Sequence, residues 1–188
     1  RKLIHVSSSI IPLSLFYYDK YFVLILLVPI SASVVLLDYL RINYKSISSF
    51  YNKYFSFITR GFESRHFTGA SYVLISSCFI IFLFPLKVAI ISLLIMSISD
   101  SMASIFGQKY GKVHFFNKSL EGTIAFFLSS ISIVIFFEVN LFLAILSILI
   151  CTLVELLHFL SIDDNLTVPF SFAIAYTIFE KIMNTGII

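Results

Sequence analysis

The chain has 188 residues, of which 59% are hydrophobic and 12% are charged, and its mean hydropathy is +1.01. A soluble domain carries about 25% charged residues, so this composition excludes an ordinary water-soluble domain. A net charge of +3 is too small to indicate nucleic-acid binding. Cys78 and Cys151 both lie inside apolar runs, where a cysteine is expected to be a small buried hydrophobic residue.

Long apolar runs predict an all-α, polytopic transmembrane helix bundle. A spanning helix needs about 20 apolar residues, and the sequence offers seven candidate spans, of which the first is weakened by three consecutive serines and Pro12. The fourth is apolar only to about Ile98, and we expect its helix to continue past Asp100 to Gly107 or Gly111. Strands are not expected, since the runs do not alternate and lipid excludes open sheet edges. The seven spans are 3–18, 21–37, 71–86, 88–106, 121–138, 141–160 and 166–184.

The distribution of basic residues predicts which side of the membrane the polar segments face. With the N-terminus in the cytoplasm, ten Lys and Arg residues lie in inner segments and three lie at outer ends, in agreement with the positive-inside rule. The same orientation places most acidic clusters at or near the inner face, so we expect one cytoplasm-facing site. The inner residues are Arg1, Lys2, Arg41, Lys45, Lys53, Arg60, Arg65, Lys109, Lys112 and Lys118, and the outer ones are Lys20, Lys87 and Lys181.

Residues 38–70 form the longest polar connection. Aromatic and aliphatic residues recur in it at helical spacing from Tyr44 to Ile58, with basic side chains among them. This pattern is typical of an amphipathic helix at the membrane interface, and a connecting helix packed on the bundle is an equal alternative. No repeat and no linker divides the chain, so residues 1–188 are expected to form one integral membrane domain. The chain has neither an initiator Met nor a cleavable signal pattern, which is compatible with its being a piece of a longer protein.

The polar stretch from Ser99 to Thr123 separates two apolar runs and contains a carboxylate near its start, Asp100. Carboxylates at membrane depth are costly and usually face a cavity or a partner. Small residues that include Gly107 and Gly111 follow Asp100 at helical spacing. They allow either close packing of a neighbouring helix or the approach of a ligand's phosphates to the backbone. The acid and the lysines that follow favour the phosphate alternative.

A second helix is predicted to start just before Glu121, with Asn117 or Ser119 as its cap. Its unpaired N–H groups and partial positive charge, together with Lys118, would form an anion site. On these residues alone, an ordinary capped helix with a solvated lysine is the better explanation.

Acidic residues also occur towards the end of the chain. Glu155 lies inside an apolar span with His158 one helical turn further on, and a buried acid is a functional candidate, although it can also be a structural hydrogen-bond partner. Asp163, Asp164 and Asn165 follow, and these oxygen donors suit a hard cation such as Mg²⁺. A helix cap between two spans is the alternative. Lysines, magnesium and a helix N-terminus together are typical of phosphoryl or nucleotidyl transfer.

Taken together, these motifs resemble the CTP-dependent lipid-alcohol kinases, polytopic membrane proteins that include dolichol kinase, phytol kinase and the yeast-type diacylglycerol kinase. The resemblance covers essentially the whole chain. It implies transfer of a phosphoryl group from CTP to the hydroxyl of a polyprenol, a phytol-like alcohol or diacylglycerol, with Mg²⁺ or another divalent cation, at the cytoplasmic face. The motifs are DSMASIFGQKYGK from Asp100, NKSLEGTIAFF from Asn117, ELLHFLSIDDNLTVP from Glu155, RKLIH from Arg1 and ESRHFTGASY from Glu63.

The resemblance also implies roles for individual residues, which are hypotheses about this chain. Glu155 or a metal-bound aspartate would accept the proton of the lipid hydroxyl, and Lys112 and Lys118 would hold triphosphate oxygens. The catalytic candidates are Asp100, Lys118, Glu121 and Glu155. The nucleotide-binding candidates are Gly107, Gly111, Lys112, Lys118, Ser119 and Gly122. The metal-binding candidates are Asp100, Asp163, Asp164 and Asn165.

Two other functions fit parts of the sequence. The phosphatidate cytidylyltransferases share the acid, the two glycines and a Lys-x-x-Glu-Gly ending, here Lys118 to Gly122, but their second signature with His-Gly-Gly and Asp-Arg is absent. A non-enzymatic transporter or scaffold would explain the hydropathy but not the acids and lysines on one side. The expected partners are a lipid alcohol, CTP and membrane lipids, and a homo-oligomer is compatible with the sequence.

Overall fold

The computed structural model describes residues 2–55, 66–115, 118–157 and 162–185, and these are helical almost throughout, which confirms the all-α class. A π-helical turn, Ile95–Ser99, joins α6 to α7, and two short strands, β1 (His114–Phe115) and β2 (Lys118–Ser119), lie between α7 and α8. The α-helices are α1 (Lys2–Ser7), α2 (Ile10–Ser14), α3 (Lys20–Asn43), α4 (Lys45–Phe55), α5 (Gly69–Leu83), α6 (Leu86–Leu94), α7 (Asp100–Tyr110), α8 (Leu120–Phe136), α9 (Leu141–Leu157) and α10 (Asp164–Asn184).

The centre of the bundle is the continuous helix Leu86–Tyr110, made of α6, the π turn and α7. In this helix 72% of the most apolar stretch is buried, against 28% for α3 and 33% for α10. Helices α2, α5, α8 and α10 all pack against it. Its C-terminal cap is Gly111, so the expectation that this helix continues past Asp100 is confirmed.

The distribution of polarity in the bundle is that of a protein surrounded by lipid. Large apolar side chains point outwards, as at Phe82 and Phe136, whose exposed fractions are 63% and 77%. Hydroxyl side chains lie inside, where Ser77 and Ser147 bond to carbonyls of their own helices. Small residues of this kind let membrane helices approach closely. The completely buried serines are Ser71, Ser76, Ser77, Ser92, Ser97, Ser99, Ser130 and Ser147.

Three described helices are long and apolar enough to cross a membrane: Lys20–Asn43, Leu86–Tyr110 and Asp164–Asn184. Three shorter apolar helices, Gly69–Leu83, Leu120–Phe136 and Leu141–Leu157, fall on three further predicted spans. The total of seven spans and the cytoplasmic N-terminus remain predictions.

The first predicted span, 3–18, is not one continuous helix, because α1 ends at Ser7 and α2 covers only Ile10–Ser14. The serine hydroxyls explain the break. Ser8 Oγ donates to the His5 carbonyl and Ser9 Oγ to the Val6 carbonyl, both at 2.6 Å. Such local bonds compete with the helical pattern.

The expectation of no strands is wrong at one place. Strands β1 and β2 form an antiparallel hairpin in which His114 pairs with Ser119 and Phe115 pairs with Lys118. The hairpin lies between the ends of α7 and α8, outside the apolar runs, so the lipid argument against open sheet edges does not apply there. It delivers Ser119 to the N-cap of α8, where its side chain accepts the N–H of Gly122 at 3.2 Å. Of the two predicted caps, Asn117 and Ser119, it is therefore Ser119 that caps α8.

The helix predicted in the connection 38–70 is present as α4, which lies against α3. Residues 56–65 of this connection lie outside the described residues.

Helices α7 and α8 approach closely because glycines face each other. A Cβ atom added at Gly122 would lie 2.8 Å from the carbonyl oxygen of Ala103 and 3.3 Å from the Cα of Gly107. A Cβ added at Gly107 would lie 2.7 Å from Ser119 Oγ. Gly107 and Gly122 therefore serve close helix packing. For Gly107 this is the alternative to the phosphate use that the sequence favoured, and the phosphate use stays a prediction.

We expect the substitution Gly122→Ala to lower the free energy of unfolding by about 1–3 kcal/mol, because the added methyl group must displace the main chain of α7. Thermal unfolding of the purified protein in one detergent measures this change. Ser132→Ala is the matched control on the exposed face of α8, where the hydroxyl bonds to Leu128 of the same helix, and its effect should stay within about 0.5 kcal/mol. Equal stability of the two variants would contradict the packing described.

Candidate active site

A cavity of about 890 Å³ collects polar side chains from segments that are far apart in the sequence. Its wall includes residues of α1, α5, α7, the β1–β2 hairpin, α8, α9 and the start of α10. The volume is in the range of small-molecule sites, about 300–1,000 Å³. Ten of the predicted site residues line it: Asp100, Gly107, Gly111, Lys118, Ser119, Gly122, Glu155, Asp163, Asp164 and Asn165.

Lys118 is held between two carboxylates. Its Nζ lies 2.7 Å from Glu155 Oε1 and 2.8 Å from Asp164 Oδ2, and it donates a hydrogen bond to each. The two bonds join the hairpin to α9 and to the first turn of α10. Burial alone would lower the pKa of Lys118, but Asp164 and then Glu155 outweigh it and raise the pKa above its usual value. Lys118 is therefore a cation at physiological pH.

Glu155 lies in the last turn of α9 and is 1% exposed. Lys118 occupies its Oε1, whereas Oε2 is buried without a hydrogen-bond partner among the described residues. An unpartnered buried carboxylate oxygen is costly, and Glu155 is one of the residues that line the cavity. His158, the predicted neighbour of Glu155, lies outside the described residues.

Asp100 is the first residue of α7 and follows the π turn Ile95–Ser99 directly. Such turns occur frequently at functional sites. Its Oδ2 lies 3.8 Å from Nδ1 of His5, and each of the two side chains is 21% exposed. His5 also lines the cavity, so α1 and α7 meet at the site.

The three metal candidates at the start of α10 are engaged in different ways. Asp163 is the N-cap of α10, and its Oδ1 accepts the backbone N–H of Asn165 at 3.0 Å and the side-chain amide at 2.6 Å. Asp164 is paired with Lys118. For Asp163 the helix-cap alternative is therefore realised. Within the described ranges, no group of three or more His, Cys, Asp or Glu residues is arranged to hold a metal ion.

Two predicted site residues, Lys112 and Glu121, are not among the residues that line this cavity. The Lys112 side chain is exposed, and its backbone N–H donates to Glu121 Oε1 at 3.0 Å. Glu121 faces a separate apolar groove next to Ile124 and Phe106. This hydrogen bond connects the chain that follows α7 to the first turn of α8. Glu121 therefore positions these two segments relative to each other.

The lining residues that were not predicted as site residues include His5, His66, Phe67, Tyr72, Gln108 and His114. Four of them lie in RKLIH and ESRHFTGASY, the two outlying motifs of the family resemblance. The two motifs could have indicated these residues in the sequence. Neither stretch, however, carries the run of acids and lysines that identified the other candidates.

Comparison with known proteins places the chain in a family. No protein-family model and no solved structure matches it. The uncharacterized protein RP860 of Rickettsia prowazekii is 32% identical over 193 residues, which cover 97% of this chain and 95% of that protein. This chain belongs to the same family as RP860.

The chain is also similar to two fungal lipid kinases. CTP-dependent diacylglycerol kinase 1 of Schizosaccharomyces pombe is 30% identical over 97 residues, which cover 50% of this chain and 44% of the kinase. The kinase of the same name from Saccharomyces cerevisiae is 31% identical over 132 residues, or 68% of this chain and 46% of the kinase. The chain therefore spans less than half the length of the kinases it matches.

We expect Lys118→Met to lower the free energy of unfolding by about 3–5 kcal/mol, because it leaves the buried Glu155 carboxylate without a counter-charge. The double variant Lys118→Met with Glu155→Gln should recover most of this loss, since a neutral amide needs no cation. Thermal unfolding in detergent gives both values. If the double variant is no more stable than the single one, Lys118 does not compensate the charge of Glu155.

Proposed function

We propose that this chain is a membrane kinase that transfers the γ-phosphoryl group of CTP to the hydroxyl of a lipid alcohol, diacylglycerol, at the cytoplasmic face. The observation that carries the proposal is the cavity in which Lys118, Asp100, Glu155 and Asp164 meet beside the N-terminus of α8. The similarity to proteins named as CTP-dependent diacylglycerol kinases supports the donor and the acceptor. For that reason we propose diacylglycerol ahead of dolichol or phytol.

The triphosphate would bind where the β1–β2 hairpin meets α8. Lys118 supplies a full positive charge at this place, and α8 supplies the positive end of a helix dipole. The N–H groups of Leu120 and Gly122 already donate to the Val113 carbonyl and to Ser119 Oγ, so the dipole and Lys118 carry this part of the proposal. Gly107 and Gly122 let α7 approach α8 closely at the adjoining wall. Phosphoryl transfer depends mainly on positioning and charge neutralisation, and these are the contributions that the hairpin and the helix end can make.

The charge balance of the cavity favours a divalent cation. Four carboxylates line it, from Asp100, Glu155, Asp163 and Asp164, whereas Lys118 is the one lysine among the described lining residues. A polyanionic triphosphate would be repelled from such a wall unless a cation accompanied it. Mg²⁺ usually binds through one or two carboxylates plus substrate phosphates, so the donors fit an ion shared with the nucleotide. Asp100 and Asp164 would hold it, and it would neutralise charge on the transferring group.

Glu155 is the group proposed to take the proton of the lipid hydroxyl. Its Oε2 has no hydrogen-bond partner among the described residues, and its other oxygen is fixed by Lys118. A general base must reach the proton that it accepts, so the proposal requires the lipid hydroxyl to enter from the membrane side as far as Oε2, which is buried in the structure.

The released product tests the proposal. We expect the purified protein, given diacylglycerol and Mg²⁺, to transfer the label of CTP labelled at the γ-phosphate into the lipid and to release CDP, because attack falls on the γ-phosphorus. CTP labelled at the α-phosphate should leave the lipid unlabelled. Thin-layer separation of lipid and nucleotide products gives both results. Pyrophosphate release with phosphatidate as acceptor would show a cytidylyltransferase instead.

A matched pair of variants separates an enzyme from a scaffold in the same assay. Asp100→Asn should lower the transfer rate by about 100-fold or more if Asp100 acts on the charge of the transition state. Asp19→Asn is the control, since Asp19 caps α3 by accepting the N–H of Tyr21 at 2.8 Å and Asn caps helices equally well. Equal transfer rates in the two variants would contradict a catalytic role for Asp100.

A further inference from the structure

A second buried polar cluster lies at the C-terminal end of α3, outside the catalytic groups described above. Asp38 and Arg41 are 3% and 2% exposed, and Asp38 Oδ1 lies 3.1 Å from the guanidinium Nη2 of Arg41. The same Nη2 donates to the backbone carbonyl of His66 at 2.8 Å. The ion pair therefore reaches across to the segment that precedes α5.

The other oxygen of Asp38 accepts three hydrogen bonds from this segment and the start of α5. Asp38 Oδ2 accepts the backbone N–H of Thr68 at 2.7 Å, the Thr68 hydroxyl at 2.8 Å and the Ser71 hydroxyl at 2.7 Å. Thr68 is the N-cap of α5, yet its side chain makes no capping bond to that helix. The hydroxyl that would ordinarily cap α5 is directed to Asp38 instead.

The segment held in this way is part of the cavity wall. His66 and Phe67 line the cavity, and so does Tyr72 in the first turn of α5. The rings of Phe67 and Tyr72 meet edge to face, with centroids 6.4 Å apart and planes at 85°. One wall of the cavity is thus aromatic and is supplied by neither α7 nor α8.

A contribution to stability is not the distinctive feature of the Asp38–Arg41 pair. A buried ion pair often contributes no more than apolar residues of the same volume, because both charges lose their hydration. Arg41 Nε has no hydrogen-bond partner among the described residues, so the pair is not fully satisfied. Its distinctive consequence is geometric, because four of its contacts converge on His66, Thr68 and Ser71.

We propose that Asp38 and Arg41 are positioning residues of the nucleotide site, holding His66 and Phe67 where the base of the nucleotide binds. This inference rests on the proposed function. Lys118 and the N-terminus of α8 occupy the part of the cavity suited to phosphates, and an aromatic wall is the kind of surface on which bases stack. The pair acts through the segment it holds and does not touch the reacting atoms.

The test measures the affinity for CTP separately from turnover and from stability. We expect Asp38→Asn, which keeps the shape but removes the charge, to raise the KM for CTP by about tenfold while kcat changes less than threefold. Thr68→Val keeps the ion pair and loses one bond to Asp38, so it should raise the same KM to a smaller extent. Thr68→Ser restores the hydroxyl and should restore the KM.

Asp19→Asn at the opposite end of α3 controls for the change of charge, and thermal unfolding controls for stability. Loss of stability with an unchanged KM for CTP in both Asp38→Asn and Thr68→Val would overturn the inference, because the cluster would then be purely structural. A higher KM for diacylglycerol alone would also overturn it, since the wall would then face the lipid.

Calorimetric binding of CTP with Mg²⁺ separates this inference from the proposed function. If the wild type binds CTP but transfers no phosphoryl group, the kinase proposal fails, and a weakened affinity in Asp38→Asn and Thr68→Val would still support the positioning role. If the wild type does not bind CTP, both proposals are wrong.

Discussion

The site depends on the attachment of one lysine to two carboxylates in a chain that is otherwise poor in charge. Lys118 lies 37 residues from Glu155 and 46 residues from Asp164, and its two hydrogen bonds connect the β1–β2 hairpin with α9 and α10. Without Lys118, the buried Glu155 would carry an uncompensated charge in a bundle built from apolar helices, which is among the most destabilising arrangements known in proteins. The same contact connects the strand that precedes α8 with the first turn of α10. The lysine that holds these segments together is therefore also the residue to which we assign the binding of the triphosphate.

The distribution of large and small side chains in the rest of the bundle follows from the lipid that surrounds it. Lipid surrounds large side chains such as Phe136, while small serines occupy the helix contacts, as at Ser130 and Ser147. Gly122 and Gly107 extend this close approach to the polar end of α7 and α8. A tightly packed scaffold of this kind keeps a polar cavity open at a fixed place.

Sequence reasoning predicted most of this arrangement because the polar residues are so few. In a chain with this hydropathy, an acid such as Asp100 or Glu155 is conspicuous, and the structure brings both into the cavity with Lys118. It also predicted the helix that continues past Asp100 and the cap at Ser119. It could not distinguish Lys112 from Lys118, because the direction of a lysine side chain in a loop depends on the path of the loop. The hairpin that directs Lys118 into the cavity has only two residues in each strand, too few for a pattern in the sequence.

The unpredicted part consists of contacts between distant segments. Asp38 and Thr68 are 30 residues apart, and no spacing rule connects them. His5 reaches Asp100 only because α1 packs on the central helix. Asp163 was predicted as a metal ligand or a cap, and only the backbone geometry of α10 shows the cap.

The most direct test of the central claim is the thermal unfolding midpoint of the protein with increasing CTP and Mg²⁺. A ligand that binds only the folded state at 100 times its Kd stabilises it by about 2.7 kcal/mol. The account predicts a concentration-dependent rise for the wild type and its loss in the double variant Lys118→Met with Glu155→Gln, which is expected to fold. An equal rise in the double variant, or no rise in the wild type, would contradict binding of the nucleotide at Lys118.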